Sequence, residues 1–247
     1  MDQTALLIGL ALFAIAMMYS SVGHAGASGY LAVLSLSSLA PEEIKPVSLV
    51  LNIAVASIAT WRFVKAGYFN RKIFLWFALG SVPASYLGGY VMLPDSAFRY
   101  LAAAFLLFSS AYMLYRRFYK PPVADEQPRQ ISSGISVGSG AAIGFCSGLI
   151  GVGGGIFLSP LLFLFRAAPL RTISGISAAF ILVNSIVGLL GHLSRMQYLP
   201  DMIPWWISLV IAGGAIGSWL GSRIISNRLI YILLSAVLLF AGVKMLM

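Results

Sequence analysis

Gly144-Phe-Cys-Ser-Gly-Leu-Ile-Gly-Val-Gly-Gly-Gly-Ile-Phe-Leu-Ser-Pro160 is apolar at both ends and carries Gly148, Gly151, Gly153, Gly154 and Gly155 in its middle. Each glycine inside a helix costs about 1 kcal/mol relative to alanine. In a hydrocarbon layer a broken helix is tolerated only where its freed backbone faces protein or a polar cavity. Peptide N–H groups ahead of a new helix make an anion site, through the nest they form and through the helix dipole. The alternative is that the glycines let two helices pack closely, as small residues do in membranes.

A second, looser run lies near the N-terminus: Ser21-Val-Gly-His-Ala-Gly-Ala-Ser-Gly-Tyr-Leu31. A shift of 126 places Ser21 on Ser147, Ala27-Ser28-Gly29 on Gly153-Gly154-Gly155, and Leu31 on Phe157. Farther on, Gly80-Ser-Val-Pro-Ala-Ser-Tyr-Leu-Gly88 matches Gly213-Gly-Ala-Ile-Gly-Ser-Trp-Leu-Gly221 at a shift of 133, and Phe108 matches Phe240 at 132. Loop insertions account for the drift. The pattern is an internal duplication of the kind found in secondary transporters.

Composition sets the solvent. Hydrophobic residues make up 60% of the 247, charged ones only 9%, and mean hydropathy is +0.92. Soluble domains carry about a quarter charged residues, so the chain reads as an all-α, polytopic membrane protein. The net charge of +9 does not point to nucleic acid, because the basic residues sit in short connections between apolar spans. One cysteine excludes an internal disulfide and any multi-thiolate metal site. No metal or cofactor is expected.

Taken in order, Thr4 to Ser20 is an apolar helix without the basic start of a signal peptide. After the first break, Tyr30 to Leu39 is long enough for about half of a roughly 30 Å hydrocarbon core. Val47 to Val64, Ile73 to Met92 and Phe98 to Tyr115 are then long enough to cross. Residues 1–115 form a first membrane repeat. The Pro-rich, charged stretch 116–134 is a linker, and 135–247 is a second repeat. The second repeat runs Ile135 to Ile150, the glycine break, Ile156 to Phe165, Ile173 to Leu193, Ile203 to Ile225 and Leu229 to Leu246. If both broken segments re-enter, each half has three true crossings and the halves are inverted. The sixteen Lys and Arg then divide 12 to 4 between the two sides, with Lys45, Arg99, Arg195 and Lys244 as the minority. If the second broken segment crosses, the division weakens to 10 to 6. The positive-inside rule favours the inverted arrangement, with both termini outside.

In that arrangement the short helices begin near Gly29 and Gly155 and point their N-termini at the bilayer middle from opposite faces. Each end carries roughly half a positive charge and unsatisfied N–H donors. The substrate-binding residues expected for a small anion are Ser21, His24, Gly26, Ala27, Ser28 and Gly29 from the first break. Gly151, Gly153, Gly154, Gly155 and Ser147 are expected from the second. The amides of Asn52 and Asn184 on the following helices are neutral donors, although they need not be symmetry mates and can equally bond neighbouring helices.

The motif from Gly148 to Pro160, with its looser copy from Gly23 to Leu31 and the Gly-x-x-x-Gly-Ser-x-Leu-Gly from Gly213 to Gly221, resembles the TauE/SafE-type sulfite exporter family, also called the 4-toluene sulfonate uptake permease family (TSUP). The first half departs from the family pattern: Ala27-Ser28-Gly29 replaces a glycine triplet, Leu34 takes the place of the usual proline, and His24 is added. The resemblance implies a secondary transporter (exporter or permease) for sulfite, an organosulfonate or a related small sulfur anion. It also implies a prokaryotic plasma (inner) membrane. Its partners would be that anion and the lipid bilayer, with a homo-oligomer left open.

Two other functions compete. A passive anion channel would share every feature above. A rhomboid-like serine protease is suggested by Gly26-Ala-Ser-Gly29, with His192 completing a Ser28–His192 dyad. Against it, the repeat preserves the bend and not the hydroxyl, since Gly154 stands where Ser28 does. Cys146 reads as a small packing residue. His24 is suited either to a proton or anion role or to a structural hydrogen bond. Trp61, Trp76, Trp205 and Trp206 read as interface anchors, and Pro83 as a kink. All seven acids are expected in loops or termini, which leaves no membrane carboxylate to relay protons.

Overall fold

Apolar side chains cover the outside of this bundle, and its interior buries polar side chains among apolar core clusters. Leu7, Leu79, Leu87 and Ile216 are exposed, whereas His24, Ser28, Asn52, Ser159, Ser177, Asn184 and Ser185 are buried. That is the arrangement hydrocarbon surroundings demand, because water is not there to satisfy an outward polar group.

The computed structural model describes residues 3–34, 41–91, 129–193 and 203–224, with isolated positions elsewhere. Its helices are α1 (Gln3–Ser20), α2 (Ala27–Leu34), α3 (Pro41–Lys65), α4 (Arg71–Tyr90), α5 (Ser133–Ile150), α6 (Gly155–Leu164), α7 (Leu170–Leu193) and α8 (Ile203–Trp219). A π-helical turn, Leu220–Ile224, continues α8. The described residues contain no strand. Among the described residues four helices are long and apolar enough to cross a membrane: Glu43–Lys65, Ser133–Ile150, Leu170–Leu193 and Ile203–Ile224. The expected crossings Phe98–Tyr115 and Leu229–Leu246 lie largely outside the described residues.

Two seams of close backbone contact fix the helix directions. On α8, Gly213, Gly217 and Gly221 face Phe13, Met17 and Ser21. Both sets of numbers rise together, so α1 and α8 run parallel. On α5, Gly140, Gly144 and Gly148 face Phe77, Ser81 and Ser85 of α4 in the same parallel sense. Small residues at four-residue spacing let backbones approach in this way.

The ends of the second broken segment meet. The Arg129 N–H, just before α5, donates to the Arg166 carbonyl, just after α6, at 3.0 Å. The chain therefore leaves one end of the bundle along α5, turns at the glycines and returns along α6. Arg171, at the start of α7, donates to the Tyr68 hydroxyl at 3.0 Å and to the Ser222 carbonyl at 3.2 Å. That gathers the ends of α3 and α8 and the starts of α4, α5 and α7 at the same end. Arg62, Lys65, Arg71, Lys72, Arg129, Arg166, Arg171 and Arg223 all stand there. Because α1 is parallel to α8, it runs toward this basic end while α5 runs away from it. The two half-helices α2 and α6 are consequently antiparallel.

Two expectations are corrected. Trp206 is no interface anchor: it is 3% exposed within the packed cluster around α1, α3 and α8. Trp61 does sit outside, with the Arg62 and Lys65 cations over its ring. Glu42 and Glu43 are also not in a loop, since α3 begins at Pro41 and takes both into its first turn. A proline in a helix's first turn is tolerated because its missing N–H would have had no intrahelical partner.

Candidate functional site

α5 ends because Gly151 adopts the left-handed conformation (φ 80°) and returns its N–H to the Ser147 carbonyl at 2.9 Å. Gly153 and Gly154 remain left-handed, at φ 73° and 76°, which side chains strongly disfavour. Gly154 then caps α6 without any side-chain bond. In the first break, Gly23 and Gly26 have positive φ, and the Tyr30 N–H donates to the Gly26 carbonyl at 2.9 Å to open α2. Both half-helices thus begin on glycine, with first-turn N–H groups that have no carbonyl partner in their own helix.

These two starts share a small cavity of about 10 Å³. It is lined by Tyr19, His24, Ala25, Gly26, Ala27 and Ser28 from the first half, and by Val152, Ile156 and Ile181 from the second. This volume is at the threshold for one water. Among the described residues, no acidic or basic side chain other than His24 lines it.

Around the cavity run two polar networks. In the first, the Tyr19 and Ser28 hydroxyls lie 3.0 Å apart. His24 Nδ1 is 3.3 Å from the Val22 carbonyl. Its Nε2 lies 3.3 Å from Ser159 Oγ. Ser159 in turn lies 2.6 Å from Ser177 Oγ and 3.0 Å from the Gly155 carbonyl. The chain His24–Ser159–Ser177 therefore ties the first break to α6 and α7. In the second network, Asn52 Nδ2 donates to Ser185 Oγ at 3.0 Å and to the Val152 carbonyl at 3.4 Å. That pins the second break to the central helices α3 and α7.

The structure divides the expected site residues. His24, Gly26, Ala27 and Ser28 line the cavity. Gly153, Gly154 and Gly155 stand behind it: a Cβ on Gly153 would come within 2.6 Å of Ser185 Oγ and 2.7 Å of Asn52 Nδ2. A Cβ on Gly154 would reach Phe180 and Ser147 at 3.0 and 3.1 Å, and one on Gly155 would run into Ile181. Gly151 lies against Lys45, Gly29 against Ile15, and Ser21 bonds the Met18 carbonyl at 2.7 Å while facing Gly221. Asn184 donates to the Phe180 carbonyl of its own helix at 2.8 Å. Among the expected site residues, three buried polar atoms have no hydrogen-bond partner: Ser147 Oγ, Asn52 Oδ1 and Asn184 Oδ1.

Ser28 and His192 are not a dyad. Ser28 is partnered with Tyr19, and His192 Nε2 lies 3.1 Å from the Gly148 carbonyl. Reading the sequence missed Tyr19, Ala25, Val152, Ile156 and Ile181 in the lining and Ser159, Ser177 and Ser185 in the networks. Ser159 alone left a signal, standing one helical turn after Gly155 within the glycine motif.

The family described as "Sulfite exporter TauE/SafE" matches residues 7–245. The chain is similar to a probable membrane transporter protein, y4hK, of Sinorhizobium fredii, with 36% identity over all of both chains. It is also similar to the probable membrane transporter protein YunE of Bacillus subtilis, 25% identical over 80% of this chain and 78% of that one. A probable membrane transporter protein of Methanocaldococcus jannaschii is 29% identical over 77% of this chain and 73% of its own. No solved structure matches.

Proposed function

From the chain's membership of the TauE/SafE sulfite exporter family, as a multi-pass membrane transporter and not an enzyme, we propose that its cargo is a small sulfur oxyanion, sulfite or an organosulfonate first. The anion binds where the two half-helix starts meet and crosses by alternating exposure of that site between the two ends of the bundle. One observation carries this reading: residues from both half-helix starts line one cavity that contains no carboxylate. Antiparallel half-helices bring two positive dipole ends to one place, and the hydroxyls of Tyr19 and Ser28 add neutral donors. The unpartnered Ser147 hydroxyl, beside Gly154, is a further donor within reach of the break. Neutral donors strip water from an oxyanion without holding it as a full counter-charge would.

At about 10 Å³ the cavity is closed to such an anion, so Tyr19, Ile156 or Ile181 has to move for cargo to enter. With the basic end placed in the cytoplasm by the positive-inside rule, the α1–α2 segment enters from outside and the α5–α6 segment from inside. Purified protein in liposomes loaded with labelled sulfite or isethionate tests the proposal. Protein-dependent flux of either anion, blocked by the other, is the expected result. Flux of sodium or ammonium with no anion movement would refute it.

A further inference from the structure

At the basic end, well away from the cavity between the half-helices, a second cavity of about 550 Å³ opens between the starts of α4 and α5. Since α4 and α5 run parallel, their positive N-termini stand side by side here. Asn70 and Ser132 cap them, accepting from the Ile73 N–H at 3.1 Å and the Ile135 N–H at 3.3 Å. Two cations on separate segments line the opening, Lys72 from α4 and Arg129 from the stretch before α5. The backbone bond from Arg129 to Arg166 holds that stretch in place. Among the described residues no acidic one lines the cavity, and Ile73, Trp76 and Ile131 add apolar lining.

We infer that this cavity binds a phosphate-bearing anion, supplied as the headgroup of an anionic phospholipid. Three features point to a lipid as the source. The volume is that of a pocket for an organic ligand of moderate size, far more than a bare oxyanion fills. Cations and large apolar side chains line the same cavity, which suits a charged head joined to a hydrocarbon tail. The cavity also lies at the end of the helices that carries the basic residues, where a membrane protein meets the headgroups of an anionic leaflet. The inference does not rest on which anion the protein transports.

The test uses full-length protein in mixed micelles, with bound lipid counted by native mass spectrometry as phosphatidylglycerol replaces phosphatidylcholine. A parallel arm titrates inorganic phosphate. Wild type is expected to retain phosphatidylglycerol selectively. Lys72→Gln with Arg129→Gln should weaken that retention about thirtyfold, from two surface cations at roughly a factor of five each. The charge-matched pair Lys65→Gln with Arg223→Gln, at the same end but outside the cavity, should leave it unchanged. Weakening of wild-type lipid retention by millimolar phosphate, with no such effect on the Lys72/Arg129 variant, would support the same oxyanion chemistry. Equal loss in both variant pairs would show that general surface charge holds the lipid, and would overturn the inference. So would the absence of any preference for phosphatidylglycerol or phosphate in wild type.

Discussion

Gly144 and Gly138 lie on the same helix, six residues apart, and should respond to alanine in opposite ways. A Cβ on Gly144 would stand 2.5 Å from Ser81 Cα and 2.8 Å from its carbonyl carbon, and closer still to the carbonyl oxygen. Carbon atoms in good contact sit about 3.5–4.0 Å apart. The α4–α5 seam would therefore have to open by about 1 Å, and the obstacle is backbone, which cannot rotate aside. Overpacking of this kind costs about 1–3 kcal/mol. A Cβ on Gly138 meets nothing within 4 Å, so Gly138→Ala gains helix propensity, up to about 1 kcal/mol. For a chain of this size each kcal/mol moves the melting temperature by about 2–4 °C. Gly144→Ala should melt about 2–12 °C lower than wild type, and Gly138→Ala at the same temperature or up to about 4 °C higher. Thermal unfolding followed by intrinsic fluorescence in one detergent measures both. If the two variants shift together, the seam is not the rigid contact described above.

Gly153→Ala combines a left-handed backbone with a clash against Ser185 and Asn52, so it should lose about 2–4 kcal/mol together with anion flux; unchanged stability would contradict the break geometry. Asn52→Leu strands the Val152 carbonyl and the Ser185 hydroxyl, and a melting temperature within 1 °C of wild type, where about 1–3 kcal/mol of loss is expected, would argue against the network. Tyr19→Phe and Ser28→Ala each remove one partner of the same 3.0 Å pair; each should raise the KM for anion, and the double variant should be less than additive. Full additivity would place the two hydroxyls in separate roles.

The location of the break could be read from the sequence, because a run of glycines interrupts an apolar stretch there, and the inverted arrangement was expected from the division of Lys and Arg between the two sides. Gly213 and Gly221 lie on the seam with α1 that small residues suggest. The lining of the cavity could not be read in this way. Tyr19, Ile156 and Ile181 look like any other apolar positions on a helix, and only the angle at which α2 and α6 dock turns them inward. The hydrogen bonds from His24 to Ser159 and from Asn52 to Ser185 join residues more than a hundred positions apart. No local pattern marks such pairs. The glycine triplet was legible both as a break and as a close-packing run, though as rival readings and not as two roles held together. Ile181, Phe180 and Asn52 fill the space where its side chains would be, so the run serves close packing as well as the helix start.

The two seams also constrain how the closed cavity can open. Each joins a broken segment to an unbroken helix of the other half, α1 to α8 and α5 to α4, through close backbone contacts at glycine, with Ser20 Oγ also donating to the Gly214 carbonyl across the first at 3.1 Å. Contacts of that kind do not slide gradually, because well-packed interfaces have few intermediate arrangements. Each seam should therefore move as one body, and opening should come from motion of these pairs against the central helices α3 and α7. The first break is tied to those helices through Ser159 and Ser177, and the second through Asn52 and Ser185. These side-chain hydrogen bonds can break and re-form at modest cost, unlike the seams. A disulfide between α4 and α5, introduced after Cys146→Ser, should then leave anion flux intact. One joining Ser28→Cys to Ile156→Cys, across the two walls of the cavity, should stop flux until it is reduced. Arrest by the seam cross-link, with free flux through the cavity cross-link, would place the moving joint between α4 and α5 and not where the two half-helices meet.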